Sequence, residues 1–211
     1  MPKNVIFDLD GTLIHSEPDL RAAANKMLAT MDLAPLSEAQ ITSFIGNGVP
    51  KLVERCLAVY NLPTNPEAVA TFLRFYDADP FTLTQPYPTV VDCLVALKAA
   101  GCKIAVCTNK PEAPARVILD GLGLTQYFDF IAGGDTYPTM KPDPAPLHGC
   151  AEALGGDAIY VGDSETDEKT ASNAGMVFAL FEGGYRKTPT SEMQHNLLFT
   201  DFGDLTNFVT A

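Results

Sequence analysis

Short apolar runs alternate along the chain with longer stretches whose apolar residues recur at helical spacing. Parallel strands that are covered on both faces read as continuous apolar runs, because neither face of the strand meets water. The alternation therefore predicts a doubly wound, Rossmann-like α/β fold with a parallel sheet. The predicted strands are 5–9, 103–108, 128–132, 158–162 and 177–181, and the predicted helices between them are 90–100, 111–122, 144–154 and 166–174.

The segment from about Ser16 to Asp79 breaks this alternation, since it contains helical patterns and no strand-like run. Two apolar stripes at helical spacing indicate packing faces within it. We therefore predict an α/β core formed by residues 1–14 and 82–211, with a helical insert of residues 15–81 between hinges near 13–16 and 81–88. The stripes are Leu20, Ala24, Met27, Leu28 and Met31, and then Leu52, Val53, Cys56, Leu57 and Tyr60.

The composition narrows the class of protein. The chain has 211 residues and is 46% hydrophobic, which is enough for one globular unit or for a core with a smaller insert. No apolar run approaches the roughly 18 residues of a membrane span, and MPKNVIFDLD does not resemble a secretory signal, so we expect a cytoplasmic protein without a membrane partner. The net charge of −12 disfavours binding to nucleic acid. Five cysteines without CxxC spacing suggest neither a disulfide framework nor a zinc cluster.

Candidate chemistry lies directly after the apolar runs. Ligands of open α/β sheets bind beyond the carboxyl ends of the strands, so polar residues at these points are the first to consider. Four polar clusters would bring carboxylates, a hydroxyl, an amide and an ammonium group to one edge of the sheet. They are Asp8-Leu9-Asp10-Gly11-Thr12-Leu13, Thr108-Asn109-Lys110, Lys141-Pro142-Asp143-Pro144 and Gly162-Asp163-Ser164-Glu165-Thr166-Asp167.

These four clusters resemble, in the same order, the four motifs of the haloacid dehalogenase-like hydrolases, most of which are magnesium-dependent phosphatases. The resemblance covers nearly the whole chain. It is closest to bacterial phosphoglycolate phosphatases in the stretches GGDTYPTMKPDPAPL, VGDSETDEKTASNAG, FALFEGGYRKTP and IGNGVPKLVER. It implies that the insert is a C1-type cap and that the substrate is a small phosphorylated metabolite. We expect a monomer or a homodimer.

A magnesium ion fits the charges of these motifs. A phosphomonoester dianion is repelled by carboxylates, by about 4 kcal/mol for two unit charges about 4 Å apart at an effective dielectric near 20, so a cation is needed. Mg²⁺ commonly takes one or two carboxylates together with substrate oxygens and waters, which suits Asp8 and Asp163. The resemblance implies that Asp10 adds its backbone carbonyl, that Lys141 supplies a fixed positive charge, and that Asp167 acts from the outer shell through a metal-bound water.

The motifs also suggest a mechanism. We expect Asp8 to attack phosphorus and form an aspartyl phosphate, while Asp10 protonates the leaving alkoxide and later activates water. Gly11 permits the sharp turn that brings both acids to the substrate. Thr108 and Asn109 would donate hydrogen bonds to the phosphoryl oxygens, beside the Lys141 ammonium.

The insert contains a candidate for substrate recognition. Gly46-Asn47-Gly48 precedes a helical pattern, so the backbone amides near Gly48 and the Lys51 ammonium could bind the carboxylate of a substrate such as 2-phosphoglycolate. The alternative is an ordinary glycine-rich turn at the start of a helix, with Lys51 and Arg55 on a solvated face. The sequence leaves both possibilities open.

Three classes of function are compatible with these motifs. The first is a phosphatase, acting on 2-phosphoglycolate or on a phosphosugar. The second is a mutase similar to β-phosphoglucomutase, which would return the phosphoryl group to a second hydroxyl instead of to water. The third is a non-catalytic phosphate-binding module, which the presence of both Asp8 and Asp10 disfavours. A halide-removing enzyme is disfavoured too, because that reaction gives no reason for an acid-rich metal site.

Overall fold

The computed structural model describes residues 4–211, and its centre is a six-stranded sheet in which every neighbouring pair is parallel. The predicted parallel α/β class is confirmed. The sheet order is β5-β4-β1-β6-β7-β8. These strands are β1 (Asn4–Phe7), β4 (Ile104–Cys107), β5 (Phe130–Ala132), β6 (Ala158–Gly162), β7 (Val177–Phe181) and β8 (Leu197–Phe199).

Helices cover both faces of this sheet because successive strand residues point in opposite directions. Val5 and Phe7 belong to the apolar cluster on one face, whereas Ile6 belongs to the cluster on the other, and all three are fully buried. The first face packs against α5 (Val90–Ala99), α6 (Glu112–Gly121) and α9 (Phe202–Thr210), and the second against α7 (Ala145–Leu154) and α8 (Glu165–Ala174).

The strand order places a crevice at the end of β1. From β1 the chain moves outward through β4 to β5, and then returns to β6 on the other side of β1. The loops after β1 and β6 therefore separate in opposite directions, which opens a crevice at the carboxyl ends of these strands. Asp8 follows β1 directly, so it lies at the centre of this crevice.

Four helices lie between residues 16 and 78, where the sequence predicts only helical patterns. Both predicted stripes face inward: all of their residues are buried except Met31 and Tyr60, which are half-buried. The division of the chain into a core and an insert at residues 14/15 and 81/82 stays a prediction. The helices are α1 (Glu17–Ala29), α2 (Glu38–Thr42), α3 (Val49–Ala58) and α4 (Pro66–Asp77).

The two predicted hinges pair with each other, which the sequence did not indicate. β2 (Ile14–His15) and β3 (Gln85–Pro86) form a two-stranded antiparallel sheet. Next to it, the buried Asp19 carboxylate accepts hydrogen bonds from the Thr84 amide at 2.8 Å and the Thr84 hydroxyl at 2.7 Å. The two chain segments that connect the helices to the rest of the fold are therefore held side by side.

Two further features bear on the class of protein. Across residues 4–211, no helix combines the length and the apolar character that crossing a bilayer requires. All five cysteines lie buried with free thiols, as the sequence suggests.

Candidate active site

Asp8 and Lys141 form a buried ion pair at the centre of the crevice. Asp8 leaves β1 at its carboxyl end and is 8% exposed, and Lys141, in the loop after β5, is 4% exposed. The Lys141 ammonium nitrogen lies 2.8 Å from Asp8 Oδ1. Burial disfavours a charged lysine, but the adjacent Asp167 and Asp8 carboxylates raise the pKa of Lys141 above its usual range. Lys141 therefore carries a fixed positive charge beside Asp8.

Asp167 holds Lys141 in place through a buried hydrogen-bond network. Its Oδ1 accepts a 2.8 Å hydrogen bond from Lys141 and a 2.6 Å bond from the Tyr160 hydroxyl, which itself accepts from Lys141 at 2.9 Å. Its Oδ2 accepts from the Ser164 hydroxyl at 2.6 Å. Burial alone would raise the pKa of Asp167, but the Lys141 charge and these bonds hold it below the usual value. Asp167 thus holds Lys141, Tyr160 and Ser164 together, which is compatible with the indirect role predicted for it.

Asp163 is the carboxylate across from Asp8. It follows β6, is 1% exposed, and accepts from the Thr12 hydroxyl at 2.9 Å and from the Tyr185 amide at 2.6 Å. Gly11 turns beside it with φ +91°, a conformation that favours glycine, and a Cβ on Gly11 would lie 2.6 Å from Asp163 Oδ2. A glycine is therefore required here both for the turn and for the space that Asp163 occupies.

Three carboxylates come together at this point. One oxygen from each of Asp8, Asp163 and Asp167 lies within 4.8 Å of the others. Burial, with the charge of Asp167, raises the pKa of Asp8 to about 7 despite the opposing effect of Lys141, and burial with both neighbouring carboxylates raises the pKa of Asp163. Lys141 alone does not balance three buried negative charges. The carboxylate oxygens of Asp8 and Asp163, with Asp167 close by, therefore fit a hard divalent cation.

Asp10 stands apart from this group of three. The Ser16 hydroxyl donates a 2.6 Å hydrogen bond to Asp10 Oδ1, and the Lys110 ammonium lies 3.1 Å from Asp10 Oδ2. Burial opposes a charge on Lys110, but Asp10 and the Tyr76 hydroxyl raise its pKa above the usual range. The Asp10 carboxylate is thus held by Ser16 and Lys110, which is compatible with the predicted acid-base role away from the metal.

Thr108 and Asn109 follow β4 and face the same crevice. Thr108 Oγ1 accepts from the Lys110 amide at 3.2 Å. The Asn109 side-chain nitrogen donates to the Gly46 carbonyl at 3.3 Å and to the Lys141 carbonyl at 3.0 Å. Within residues 4–211, the buried Asn109 Oδ1 finds no hydrogen-bond partner. Asn109 therefore links the loop before α3 to the Lys141 loop, and both of its N–H groups are already used.

Two cavities meet at Asp8 and Asp10. The larger has an empty volume of about 480 Å³ and is lined by Thr108, Lys110 and Lys141 on one side and by apolar residues of the helical segment on the other. The smaller, of about 380 Å³, lies on the Asp163 side. The residues shared by both are Asp8, Asp10, Ile45 and Gly46. The crevice thus consists of one side with Thr108, Lys110 and Lys141 and another side with Asp163.

The structure separates the two residues predicted in the insert. Gly48 lines the larger cavity and precedes α3 with φ +80°. Lys51 is absent from the lining of both cavities, and its ammonium lies 2.5 Å from Glu54 on the exposed side of α3. Arg55 donates to the Phe44 carbonyl at 2.8 Å. The cations of α3 therefore serve the insert itself, and Lys51 is not brought to the site.

Several residues at the site were not predicted from the sequence. Tyr160 lies within an apolar strand run. Tyr185 lies in the stretch FALFEGGYRKTP, which resembles that of relatives but does not by itself mark Tyr185 as a site residue. Lys110 stands in the second polar cluster, but its neighbours in sequence, Thr108 and Asn109, do not indicate which side chains it contacts. Their functions depend on contacts between distant parts of the chain, such as Tyr185 with Asp163.

Comparison with known proteins identifies the class to which this fold and site belong. The profile of the haloacid dehalogenase-like hydrolases matches residues 5–181, so the chain belongs to this family, and the predicted resemblance is confirmed. The chain is 48% identical to a phosphoglycolate phosphatase of Cereibacter sphaeroides over 206 residues, covering 95% of this chain and 94% of that protein. It is 44% identical to a phosphoglycolate phosphatase of Rhodospirillum rubrum, covering 97% and 90%.

A solved structure agrees with these relatives. The crystal structure of a predicted phosphoglycolate phosphatase from Haemophilus somnus superimposes with a TM-score of 0.91 at 32% identity. The alignment covers 98% of this chain and 97% of that one. The similarity therefore includes the helical segment as well as the sheet.

Proposed function

We propose that this protein is a magnesium-dependent phosphatase that hydrolyses 2-phosphoglycolate through an aspartyl phosphate on Asp8. One observation carries the proposal: a buried carboxylate at the end of β1 lies 2.8 Å from a fixed ammonium and within reach of two further carboxylates. The family, and the names of relatives at 44–48% identity, support the reaction and the substrate. A small metabolite as partner, a monomer or homodimer, and a cytoplasmic location belong to the same proposal.

The first half of the reaction transfers the phosphoryl group to Asp8. An Asp8 oxygen forms a bond to phosphorus while the bond between phosphorus and the glycolate oxygen breaks, and Asp10 gives its proton to the departing alkoxide. Lys141 offsets negative charge on the transferring group, and the Thr108 hydroxyl lies at the same cavity to bind a phosphoryl oxygen.

The second half returns Asp8 to its free form. Asp10, now a carboxylate, takes a proton from a water molecule whose oxygen attacks phosphorus, and the bond between phosphorus and Asp8 breaks. Phosphate leaves, and Asp10 is again protonated for the next substrate. Ser16 and Lys110 hold both oxygens of Asp10, so the same orientation can serve both steps.

Asp8, Asp163 and the Asp10 carbonyl would hold the magnesium ion, with Asp167 acting indirectly. When bound, Mg²⁺ neutralises the carboxylates and the incoming phosphate. Thr12 and the Tyr185 amide fix the Asp163 carboxylate in place for this task. The polar side of the crevice is therefore organised before substrate arrives.

The helical segment 15–81 is, in this proposal, a cap over the crevice. Ile45, Val49 and Leu52 line the larger cavity opposite Thr108 and Lys141, so a bound phosphate ester would be enclosed by apolar groups on one side. Such a cover excludes bulk water while the aspartyl phosphate forms. Gly48 lines the same cavity directly before α3, and in this proposal its backbone contacts the carboxylate of the substrate.

The test is a panel of phosphomonoesters that includes 2-phosphoglycolate and sugar phosphates, assayed for phosphate release with Mg²⁺ and with a chelator. We expect 2-phosphoglycolate to give the highest kcat/KM and the chelator to abolish turnover. A higher kcat/KM for a sugar phosphate than for 2-phosphoglycolate would contradict the proposed substrate. Isomerised sugar phosphate without free phosphate would indicate a mutase, and bound Mg²⁺ without turnover of any ester would indicate a binding module.

A further inference from the structure

Lys110 is a buried cation next to the proposed acid, and the roles assigned above leave it unexplained. It is 7% exposed and lines the larger cavity. Its ammonium lies 3.1 Å from Asp10 Oδ2 and donates a 3.0 Å hydrogen bond to the Tyr76 hydroxyl. Lys110 therefore touches two side chains that come from different parts of the fold.

Tyr76 brings the helical segment into this contact. It lies near the end of α4, is 2% exposed, and packs against Phe72 with ring centroids 5.8 Å apart. A buried tyrosine hydroxyl usually needs a hydrogen-bond partner, and Lys110 provides one. The ammonium also lies 4.9 Å from the centroid of the Tyr76 ring, within the range of a cation–π contact. The packing of α4 thus determines where the Lys110 ammonium is held.

The Asp10 carboxylate is held at both oxygens. Ser16, directly before α1, donates to Oδ1, and Lys110 contacts Oδ2. We propose that Lys110 is a positioning residue which, held by Tyr76, aligns the Asp10 carboxyl for proton transfer when α4 is packed over the sheet edge. This inference rests on the proposed function. It makes the acid competent only in the arrangement in which the helical segment covers the crevice.

Substrates with different leaving groups can show whether Lys110 aligns an acid or has another role. An alkoxide is a strong base and needs a proton as it departs, whereas p-nitrophenolate departs without one. A lysine that binds the phosphoryl group would affect both kinds of ester equally. The ratio kcat/KM reports the steps up to phosphorylation of the enzyme, so the later activation of water does not enter.

The experiment compares Lys110→Met with the unchanged protein on ethyl phosphate, 2-phosphoglycolate and p-nitrophenyl phosphate, all with Mg²⁺. We expect kcat/KM to fall by about 100-fold for the two alkyl esters and by less than about fivefold for the aryl ester. Lys98→Met, which breaks the exposed pair with Asp129, is the matched control and should leave all three values unchanged.

Tyr76→Phe tests the link to α4 and keeps the packing of the ring. It should lower kcat/KM for the alkyl esters by roughly fivefold to tenfold and leave the aryl ester nearly unchanged. This variant also decides the matter if Lys110→Met does not fold. An unchanged ethyl phosphate value in Tyr76→Phe would overturn the link to the helical segment.

Three results would count against Lys110 as a positioning residue. Equal losses on all three esters in Lys110→Met would indicate phosphoryl binding or a general structural role. A loss confined to 2-phosphoglycolate would show that Lys110 binds the substrate carboxylate. If the unchanged protein hydrolyses none of the esters, the proposed function itself fails and this inference falls with it; with activity in the unchanged protein, the first two results overturn this inference alone.

Discussion

The two sides of the crevice hold their charges in different ways. At the sheet edge, Lys141 is paired with Asp8, directly after β1, and with Asp167, in the first turn of α8. All three residues are nearly inaccessible to solvent. In the helical segment, Lys51 pairs with Glu54 three residues away, and both side chains are 46% exposed. Buried charges interact strongly because water does not screen them, whereas an exposed pair contributes little. In the proposed mechanism the chemistry therefore lies at the sheet edge, and the exposed cation Lys51 of the helical segment takes no part in it.

Removal of the proposed nucleophile should have the largest effect. Asp8→Asn keeps the shape of the side chain but cannot form the aspartyl phosphate, so we expect kcat to fall by at least about 10³-fold. Phosphate release with Mg²⁺ is the measurement. Asp120→Asn, which changes an exposed acid on α6, is the control and should be fully active. Turnover in Asp8→Asn close to that of the unchanged protein would contradict the mechanism.

Loss of the buried cation comes next. Lys141→Met leaves Asp8 and Asp167 without their partner, so kcat/KM should fall by about 10²- to 10³-fold. The free energy of unfolding should fall by about 3 to 5 kcal/mol, because breaking a buried pair leaves an uncompensated charge. Urea denaturation measures the second effect, with Lys98→Met as the exposed-pair control, expected to cost less than about 1 kcal/mol. If both variants lose the same stability, the contrast between the two kinds of pair does not hold.

Magnesium should stabilise the protein in a way that depends on pH. Folding raises the pKa of Asp8 from 3.8 to about 7. Protonated Asp8 therefore stabilises the folded, metal-free protein, and this stabilisation is lost as the pH rises from about 4 to about 7. Mg²⁺ at about 100 times its dissociation constant should raise the melting temperature by about 5 to 10 °C at about pH 8.

The increase should be smaller at about pH 6, because protons compete with the metal for Asp8. Differential scanning calorimetry with Mg²⁺ and with chelator measures both values. Asp163→Asn should abolish most of the increase at either pH. A larger stabilisation at about pH 6 than at about pH 8 would show that the raised pKa of Asp8 does not control metal binding.

The smallest effects should arise at the start of α3. Gly48→Ala places a side chain at φ +80°, in a backbone region that costs about 1 to 3 kcal/mol for other residues, so the KM for 2-phosphoglycolate should rise. Lys51→Ala removes only an exposed ion pair and should change that KM by less than about twofold. A selective rise in Lys51→Ala, absent with p-nitrophenyl phosphate, would restore Lys51 as a reader of the substrate carboxylate.

The pattern of the sequence anticipated the elements better than their pairing. Five of the six strands of the main sheet and the helices between them are visible because buried parallel strands are apolar throughout. The two-residue strands β2 and β3 are too short to show a period, and β8, a partly exposed strand at the edge of the sheet, was also missed. Their positions follow from contacts with distant segments rather than from local composition.

The site shows the same limit at the level of side chains. Asp8, Asp10 and Asp163 could be predicted as candidates because each follows a strand end within a recognisable motif, and Lys141 because it stands in such a motif in the loop after β5. Tyr160 and Lys110 could not, since their partners lie 7 residues away for Asp167 and 34 residues away for Tyr76. Lys51 looked like a candidate because it follows a glycine-rich turn, but the structure pairs it with Glu54, its neighbour three residues along the helix.

By itself, the sequence of this protein determined which residue types stand at the strand ends and therefore the class of chemistry available. Only the tertiary structure decided which of the charged groups are buried together, which oxygen of each carboxylate is occupied, and which cations face the crevice. The physical reason is that periodicity and turn chemistry are local, whereas desolvation and ion pairing depend on segments that meet only after the sheet has formed.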